Sequence, residues 1–147
     1  MTELAFHFGA PDKLAYACRL VRKAVVSGAK VVLVAKEDAI AQLDVDLWAL
    51  ASTDFVAHCI GGAATTKSVQ NRSPVVLVTD ASQVPDHTGV LINLAEVVPQ
   101  GFERFDRLIE VVSTDADDRN MARGRWRHYT EQGFAITRHD LALKRAD

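Results

Sequence analysis

Residues 4–34, LAFHFGAPDKLAYACRLVRKAVVSGAKVVLV, decide the fold class of this chain. Leu4–Phe8 is a short aromatic and aliphatic run before a glycine, which predicts a strand. Pro11 and Asp12 then open a helix, because apolar residues follow at helical spacing at Leu14, Cys18, Val21 and Val25. Gly28 ends that helix, and Val31–Val34 is a continuous apolar run, typical of a strand buried on both faces. A strand, a helix and a strand joined by short connections predict a βαβ unit.

The same alternation continues along the chain. A second helix is predicted over Glu37–Leu50, and a third runs from Asp115 to about Gln132, with Gly133 as the residue that ends it. Three further apolar runs predict strands, at Val75–Val78, Val90–Leu94 and Leu108–Val112. The polar stretch Gly61–Ser73 is typical of an irregular connection.

These elements predict an α/β fold in a single domain over residues 1–147. We expect three layers, with a mostly parallel β-sheet, helices on both faces and a Rossmann-like topology that lacks a nucleotide-binding motif. A last apolar piece, Phe134–Ile136, precedes a polar segment, so residues from about 138 to 147 are expected to form a flexible tail.

Charge is divided unevenly along the chain. The 147 residues carry a net charge of −2, which excludes binding to nucleic acid by bulk charge alone. Residues 1–118 hold 10 Lys and Arg against 16 Asp and Glu, whereas residues 119–147 hold 7 against 3. A basic C-terminal part on an acidic body favours an anionic partner for that part.

The start of the chain, its apolar runs and its cysteines indicate the cellular compartment. The start of the chain lacks the long apolar segment of a secretory signal, and no uncharged apolar run approaches the roughly 20 residues that span a bilayer. Cys18 lies on the apolar stripe of the first helix and is expected to be a small buried residue. We therefore expect a cytoplasmic protein without membrane contacts.

Motifs for catalysis, metals and cofactors do not emerge from the sequence. The chain has neither a GxGxxG nor a GxxxxGK[ST] motif, and its five histidines are scattered singly, without metal-ligand spacing. Gly61-Gly62 with Thr65, Thr66 and Lys67 loosely resembles a phosphate loop, but a plain flexible loop fits its spacing better. We expect no catalysis, no metal and no cofactor, and a nucleotide-using enzyme is the third of the functions considered.

The unusual segment is a basic and aromatic helix around residues 119–132. Arg119, Arg123 and Arg127 recur every fourth residue and form a guanidinium row, beside which Trp126 and Tyr129 form an aromatic strip. Such a face suits an anionic ligand with an apolar group, either a peptide C-terminus or a nucleotide. Two alternatives stay open: the aromatics are core residues of an amphipathic helix, or the helix binds single-stranded nucleic acid directly.

Short motifs in order along nearly the whole chain resemble the chi subunit of bacterial DNA polymerase III. They run from the aromatic first strand through these segments: Leu43-Asp44-x-x-Leu47-Trp48, Phe55-Val56-x-His58, Pro74-Val75, Leu91–Leu94, Phe105 with Glu110–Val112, and Ala122-Arg123-x-Arg125-Trp126-x-x-Tyr129-x-x-x-Gly133-Phe134. Each motif is weak by itself, but their order and spacing in one chain make the combination specific.

The resemblance implies a non-catalytic accessory subunit of the clamp-loader assembly. The family links the clamp loader, through the psi subunit, to single-stranded DNA-binding protein, whose acidic, Phe-ended C-terminal tail it binds, so that DNA is contacted only indirectly. The tail-binding positions of the family fall on Arg123, Trp126, Arg127, Tyr129 and Gly133. The surface of the family that faces psi or an accessory helicase falls near Trp48 and Phe55.

Overall fold

Seven parallel strands form one sheet within residues 2–49, 58–61 and 73–141, which the computed structural model describes. The strands are β1 (Glu3–Ala10), β2 (Val31–Val34), β3 (His58–Ile60), β4 (Val75–Val78), β5 (Val90–Asn93), β6 (Arg107–Ser113) and β7 (Ile136–Asp140). Their order across the sheet is β3-β4-β2-β5-β6-β1-β7, and every neighbouring pair is parallel. The edges of the sheet are therefore β3 and β7.

Three α-helices occur in the described ranges: α1 (Lys13–Val26), α2 (Glu37–Ala49) and α3 (Ala116–Glu131). Their ends follow the capping residues that the sequence indicates. The Asp12 side chain accepts a hydrogen bond from the Ala15 N–H at 3.1 Å, and Asp115 does the same for the Asp118 N–H at 3.2 Å. Gly133 follows α3 with a φ of 88°, a left-handed conformation that favours glycine.

The helices cover both faces of the sheet, which confirms the predicted three-layer α/β architecture. The central strand β2 shows the reason: its four residues are all buried, and they alternate between two apolar cores. Val31 and Leu33 belong to the core under α1 and α2, whereas Val32 and Val34 belong to the core under α3. Cys18 lies in the first core, where burial raises the pKa of its thiol to about 11, so it is a buried apolar residue as expected.

The two edge strands were not predicted. The β3 strand has three residues and follows a segment outside the described residues, which includes Phe55. The β7 strand pairs with β1, with Ile136 opposite Leu4 and Arg138 opposite Phe6. A tail that starts at residue 138 is therefore wrong for residues 138–140. An edge strand has a neighbour on one side only, so its sequence is more polar than a central strand and lacks the apolar run by which strands were recognised.

Candidate functional site

The inner face of α3 is anchored by a buried polar cluster. Glu110 projects from β6 and is fully buried; its two oxygens accept hydrogen bonds from Arg125 Nε at 3.1 Å and from the Tyr129 hydroxyl at 2.6 Å. Asn93 of β5 donates its Nδ2 to the same carboxylate at 3.0 Å. Arg125 Nη1 also donates to the Glu96 carbonyl at 2.9 Å. These bonds fix the position of α3 on the sheet.

The charges in this cluster keep the groups around the Glu110 carboxylate in their hydrogen-bond-donating form. Burial raises the pKa of Glu110, and the Arg125 guanidinium opposes that rise. Burial and the Glu110 carboxylate also raise the pKa of Tyr129 far above its ordinary value, so its hydroxyl stays protonated and donates. Arg125 is 3% exposed and belongs to this cluster, so it adds no charge to the surface of the helix.

The outer face of α3 forms one wall of a groove of about 510 Å³. The basic lining consists of Arg119, Arg123 and Arg127 from α3 and Arg138 from β7. Between these walls lie the aromatic side chains of Phe8, from β1, and Trp126, with Thr130 and Glu131 at the end of α3. The groove thus carries four guanidinium groups against one carboxylate.

The aromatic floor of this groove is held by the core beneath it. The Trp126 ring lies 5.0 Å from the ring of Phe6, which is fully buried, and 6.0 Å from Phe8, measured between centroids. Phe6 and Phe8 stack at 5.6 Å. Trp126 and Phe8 are half-buried, so part of each ring faces the groove while the rest packs on the core.

The three α3 arginines are exposed and available for a ligand. Arg123 donates one hydrogen bond, to Asn120 Oδ1 at 3.1 Å. Within the described ranges, the side chains of Arg119 and Arg127 make no hydrogen bond or ion pair with the protein. Guanidinium groups with free donors beside aromatic rings match an anion that carries an apolar group.

Three of the five predicted tail-binding residues lie in the groove: Arg123, Trp126 and Arg127. Tyr129 is fully buried and bound to Glu110, so the predicted aromatic strip of Trp126 and Tyr129 is wrong. Three residues of helix rotate a side chain by about 300°, or 60° short of a full turn, and this brings Tyr129 onto the inner face, one turn after Arg125. The alternative interpretation, a core aromatic, therefore holds for Tyr129.

The other predicted positions lie elsewhere. Gly133 ends α3 and does not line the groove. Trp48 belongs to the last turn of α2, whose core-facing residues lie on the opposite side of the sheet from α3, and Phe55 lies outside the described residues.

Sequence reasoning missed Phe8 and Arg138 as lining residues, and the buried role of Glu110. The sequence predicts a strand at Phe8 and a tail at Arg138, and neither prediction indicates a groove. A signal for Glu110 does exist: it is a single acid within the apolar run LIEVV, which indicates a buried cation or donor nearby.

Gly124 provides a test of the helix itself. No atom lies within 4 Å of the position that a Cβ would take there, so Gly124→Ala is expected to raise the free energy of unfolding by about 1 kcal/mol. Urea denaturation measures this change. Gly133→Ala is the matched control and is expected to lower stability, because its φ of 88° suits glycine. A loss of stability in Gly124→Ala would contradict the geometry of α3.

The described residues form neither a metal-binding cluster nor a membrane-spanning helix. In residues 2–49, 58–61 and 73–141, no group of three or more His, Cys, Asp or Glu side chains is placed to hold a metal ion. No helix in those ranges is long and apolar enough to cross a membrane.

Comparison with known proteins identifies the family of this chain. The family model described as "DNA polymerase III chi subunit, HolC" matches residues 1–137. The chain is similar to DNA polymerase III subunit chi of Pseudomonas aeruginosa, with 31% identity over 131 residues, 88% of this chain and 87% of that protein. It is also similar to the subunit of the same name from Haemophilus influenzae, with 27% identity over 126 residues, 85% of each chain. This chain therefore belongs to the family of DNA polymerase III chi subunits, which are accessory subunits in DNA replication.

Proposed function

We propose that this chain is a non-catalytic subunit that links the clamp loader, through psi, to single-stranded DNA-binding protein in the cytoplasm. It does so by binding the acidic, Phe-ended C-terminal tail of that protein. The observation that carries the proposal is the groove, where four arginines surround an aromatic floor. An acidic tail with a terminal phenyl group is complementary to both of these features.

The groove has a length that suits a short extended peptide. Arg119 and Arg127 are eight residues apart on α3, or about 12 Å along the helix axis. An extended peptide covers that distance with about four residues. Arg123 and Arg127 would bind the carboxylates of the tail, while Trp126 and Phe8 take the phenyl ring. Tyr129 supports this arrangement from beneath, because its bond to Glu110 holds α3 in place.

Affinity of this interface is expected to be about micromolar, since the groove is small compared with a standard protein interface. Exposed charge pairs are screened by salt, so the affinity is expected to fall as ionic strength rises. Binding that rests on the phenyl group alone would be insensitive to salt.

Arg127→Ala is expected to weaken binding of a synthetic acidic peptide that ends in Phe by about tenfold or more. The reason is that an exposed guanidinium, without a hydrogen-bond or ion-pair partner among the described residues, is lost from the groove wall. Isothermal titration of wild type and variant measures the change. Arg19→Ala, an exposed arginine on α1, is the matched control and is expected to bind as wild type does. Equal affinities for Arg127→Ala and wild type would contradict the assignment.

Direct binding of single-stranded DNA is the second candidate function, because the row of Arg119, Arg123 and Arg127 beside Trp126 also fits phosphates and a base. The acidic body and Glu131 in the groove disfavour a polyanion. A gel shift with single-stranded DNA, with and without single-stranded DNA-binding protein, separates the two. We expect this chain to retard the DNA further only when the binding protein already covers it; a shift of naked DNA by this chain alone would favour the second candidate.

The psi-facing or helicase-facing surface is proposed near Trp48 and Phe55. Two exposed apolar side chains support it: Val45, on α2, is 59% exposed, and Ile60, on the edge strand β3, is 42% exposed. Exposed apolar side chains close to a sheet edge favour a protein partner. This surface lies at the opposite end of the strand order from β7 and the groove, so both partners could bind at once.

A further inference from the structure

Glu131 is the acidic residue in the lining of the groove. It ends α3 and continues the spacing of the arginine row, which consists of Arg119, Arg123 and Arg127 at every fourth residue. Residues four apart lie on nearly the same face of a helix, so the carboxylate stands in line with the three guanidinium groups. The row therefore carries positive charge at its first three positions and negative charge at its last.

The local fold gains nothing from a carboxylate at this position. The C-terminal end of a helix carries partial negative charge, so an acidic side chain in the last turn is unfavourable. Glu131 is exposed and makes no hydrogen bond or ion pair within the described parts of the chain. Arg127 precedes it by four residues, but this order of base and acid is the less favourable one on a helix. The charge of Glu131 thus has no compensation from the protein.

This carboxylate affects a short peptide and a nucleic acid strand differently. A peptide tail with a few acidic residues and an apolar end is negative over part of its length only, so its charges can all lie on the arginines. A single strand of DNA carries a phosphate at every nucleotide, and a strand that follows the whole row meets Glu131. One phosphate then faces a carboxylate instead of a guanidinium, and that contact is lost.

We propose that Glu131 makes the groove selective for a short acidic peptide over single-stranded nucleic acid. The proposal rests on the proposed function, because it names the residue that excludes a competing class of ligand from the same groove. The arginines attract any anion, whereas Glu131 limits how far along the row negative charge is tolerated. The proposed partner covers single-stranded DNA, so this exclusion keeps the groove open for the partner where DNA is abundant.

The test measures the affinity of the full chain for two fluorescent ligands, the acidic peptide that ends in Phe and a short oligothymidylate. Wild type, Glu131→Gln and Glu131→Arg are titrated by fluorescence anisotropy at several salt concentrations. Glu3→Gln and Glu3→Arg are the matched controls, because the Glu3 side chain is 82% exposed on β1 and lies outside the groove. Each control changes the net charge by the same amount as the corresponding variant of Glu131.

For Glu131→Arg, we expect the affinity for the oligothymidylate to rise by about tenfold relative to the affinity for the peptide. The slope of log K against log salt for the oligothymidylate is expected to steepen by about 0.7 for each added phosphate contact. Glu131→Gln is expected to shift the same ratio of affinities by about threefold. Both controls are expected to keep the wild-type ratio and slope, since a distant exposed charge is screened.

The outcomes separate this proposal from the proposed function. Failure of wild type to bind the peptide would overturn the proposed function, and the selectivity with it. Peptide binding by wild type, together with an unchanged ratio in Glu131→Arg or an equal change in Glu3→Arg, would overturn only the role of Glu131. Thermal unfolding controls for folding: Glu131→Gln is expected to melt at or slightly above the temperature of wild type, because it removes a negative charge from the helix end.

Discussion

Glu110→Ala is expected to lower the free energy of unfolding by about 3–5 kcal/mol, because it leaves the buried Arg125 guanidinium without its carboxylate. Three donors lose their shared acceptor at once: Arg125 Nε, the Tyr129 hydroxyl and Asn93 Nδ2. Urea denaturation followed by circular dichroism measures the loss. Since the cluster holds α3 on the sheet, α3 is expected to be the first helix to lose protection from hydrogen exchange.

Two controls define the cause of that loss. Glu3→Ala removes a carboxylate whose side chain is 82% exposed and is expected to change stability by less than about 0.5 kcal/mol. The double variant Glu110→Leu with Arg125→Met removes both charges and is expected to be more stable than Glu110→Ala. A loss below about 1 kcal/mol in Glu110→Ala would show that the cluster does not hold the helix.

Charge reversal in the groove is expected to have the largest effect on binding. The variant Arg123→Glu with Arg127→Glu replaces two donors by two carboxylates that repel an acidic tail. Loss of two charge-assisted contacts corresponds to about 3–6 kcal/mol, or a hundredfold or greater loss of affinity for single-stranded DNA-binding protein. Titration with the intact partner at low and high salt measures this. The wild type is expected to weaken with salt, because its charge pairs are exposed.

The matched control reverses charge at the same spacing on the other side of the sheet. Arg19→Glu with Lys23→Glu changes two exposed residues of α1 that are also four apart, so its net charge equals that of the groove variant. It is expected to retain the wild-type affinity within about threefold, because long-range effects of exposed charges are screened. Equal losses in the two double variants would mean that net charge, and not the groove, governs binding.

The central strands and the helix ends could be predicted from local chemistry. Val31–Val34 is apolar at every position because both faces of β2 are covered. A short apolar run of this kind predicts a buried strand from the local sequence alone. Asp12 and Asp115 mark helix starts because each side chain accepts a hydrogen bond from a nearby backbone N–H group. Gly133 marks a helix end because glycine adopts the left-handed backbone conformation there without strain. Neither effect depends on distant residues.

The edge of the sheet and the inner face of α3 could not be predicted in the same way. Arg138 is recognised as a strand residue only through its pairing with β1, a contact between parts of the chain more than 100 residues apart. Tyr129 is buried with its hydroxyl on Glu110 of β6, a partner that the helical spacing of α3 does not identify. The sequence therefore predicts the groove residues of α3 but not those of the strands, Phe8 and Arg138.

Tryptophan resonances give the most direct test of where the tail binds. The chain has two tryptophans, Trp48 and Trp126, and therefore two indole N–H signals in a nitrogen–proton correlation spectrum; Trp48→Phe identifies each. On titration with the acidic, Phe-ended peptide, we expect the Trp126 signal to move in proportion to occupancy and the Trp48 signal to stay in place. Movement of the Trp48 signal with an unchanged Trp126 signal would contradict the groove as the binding site.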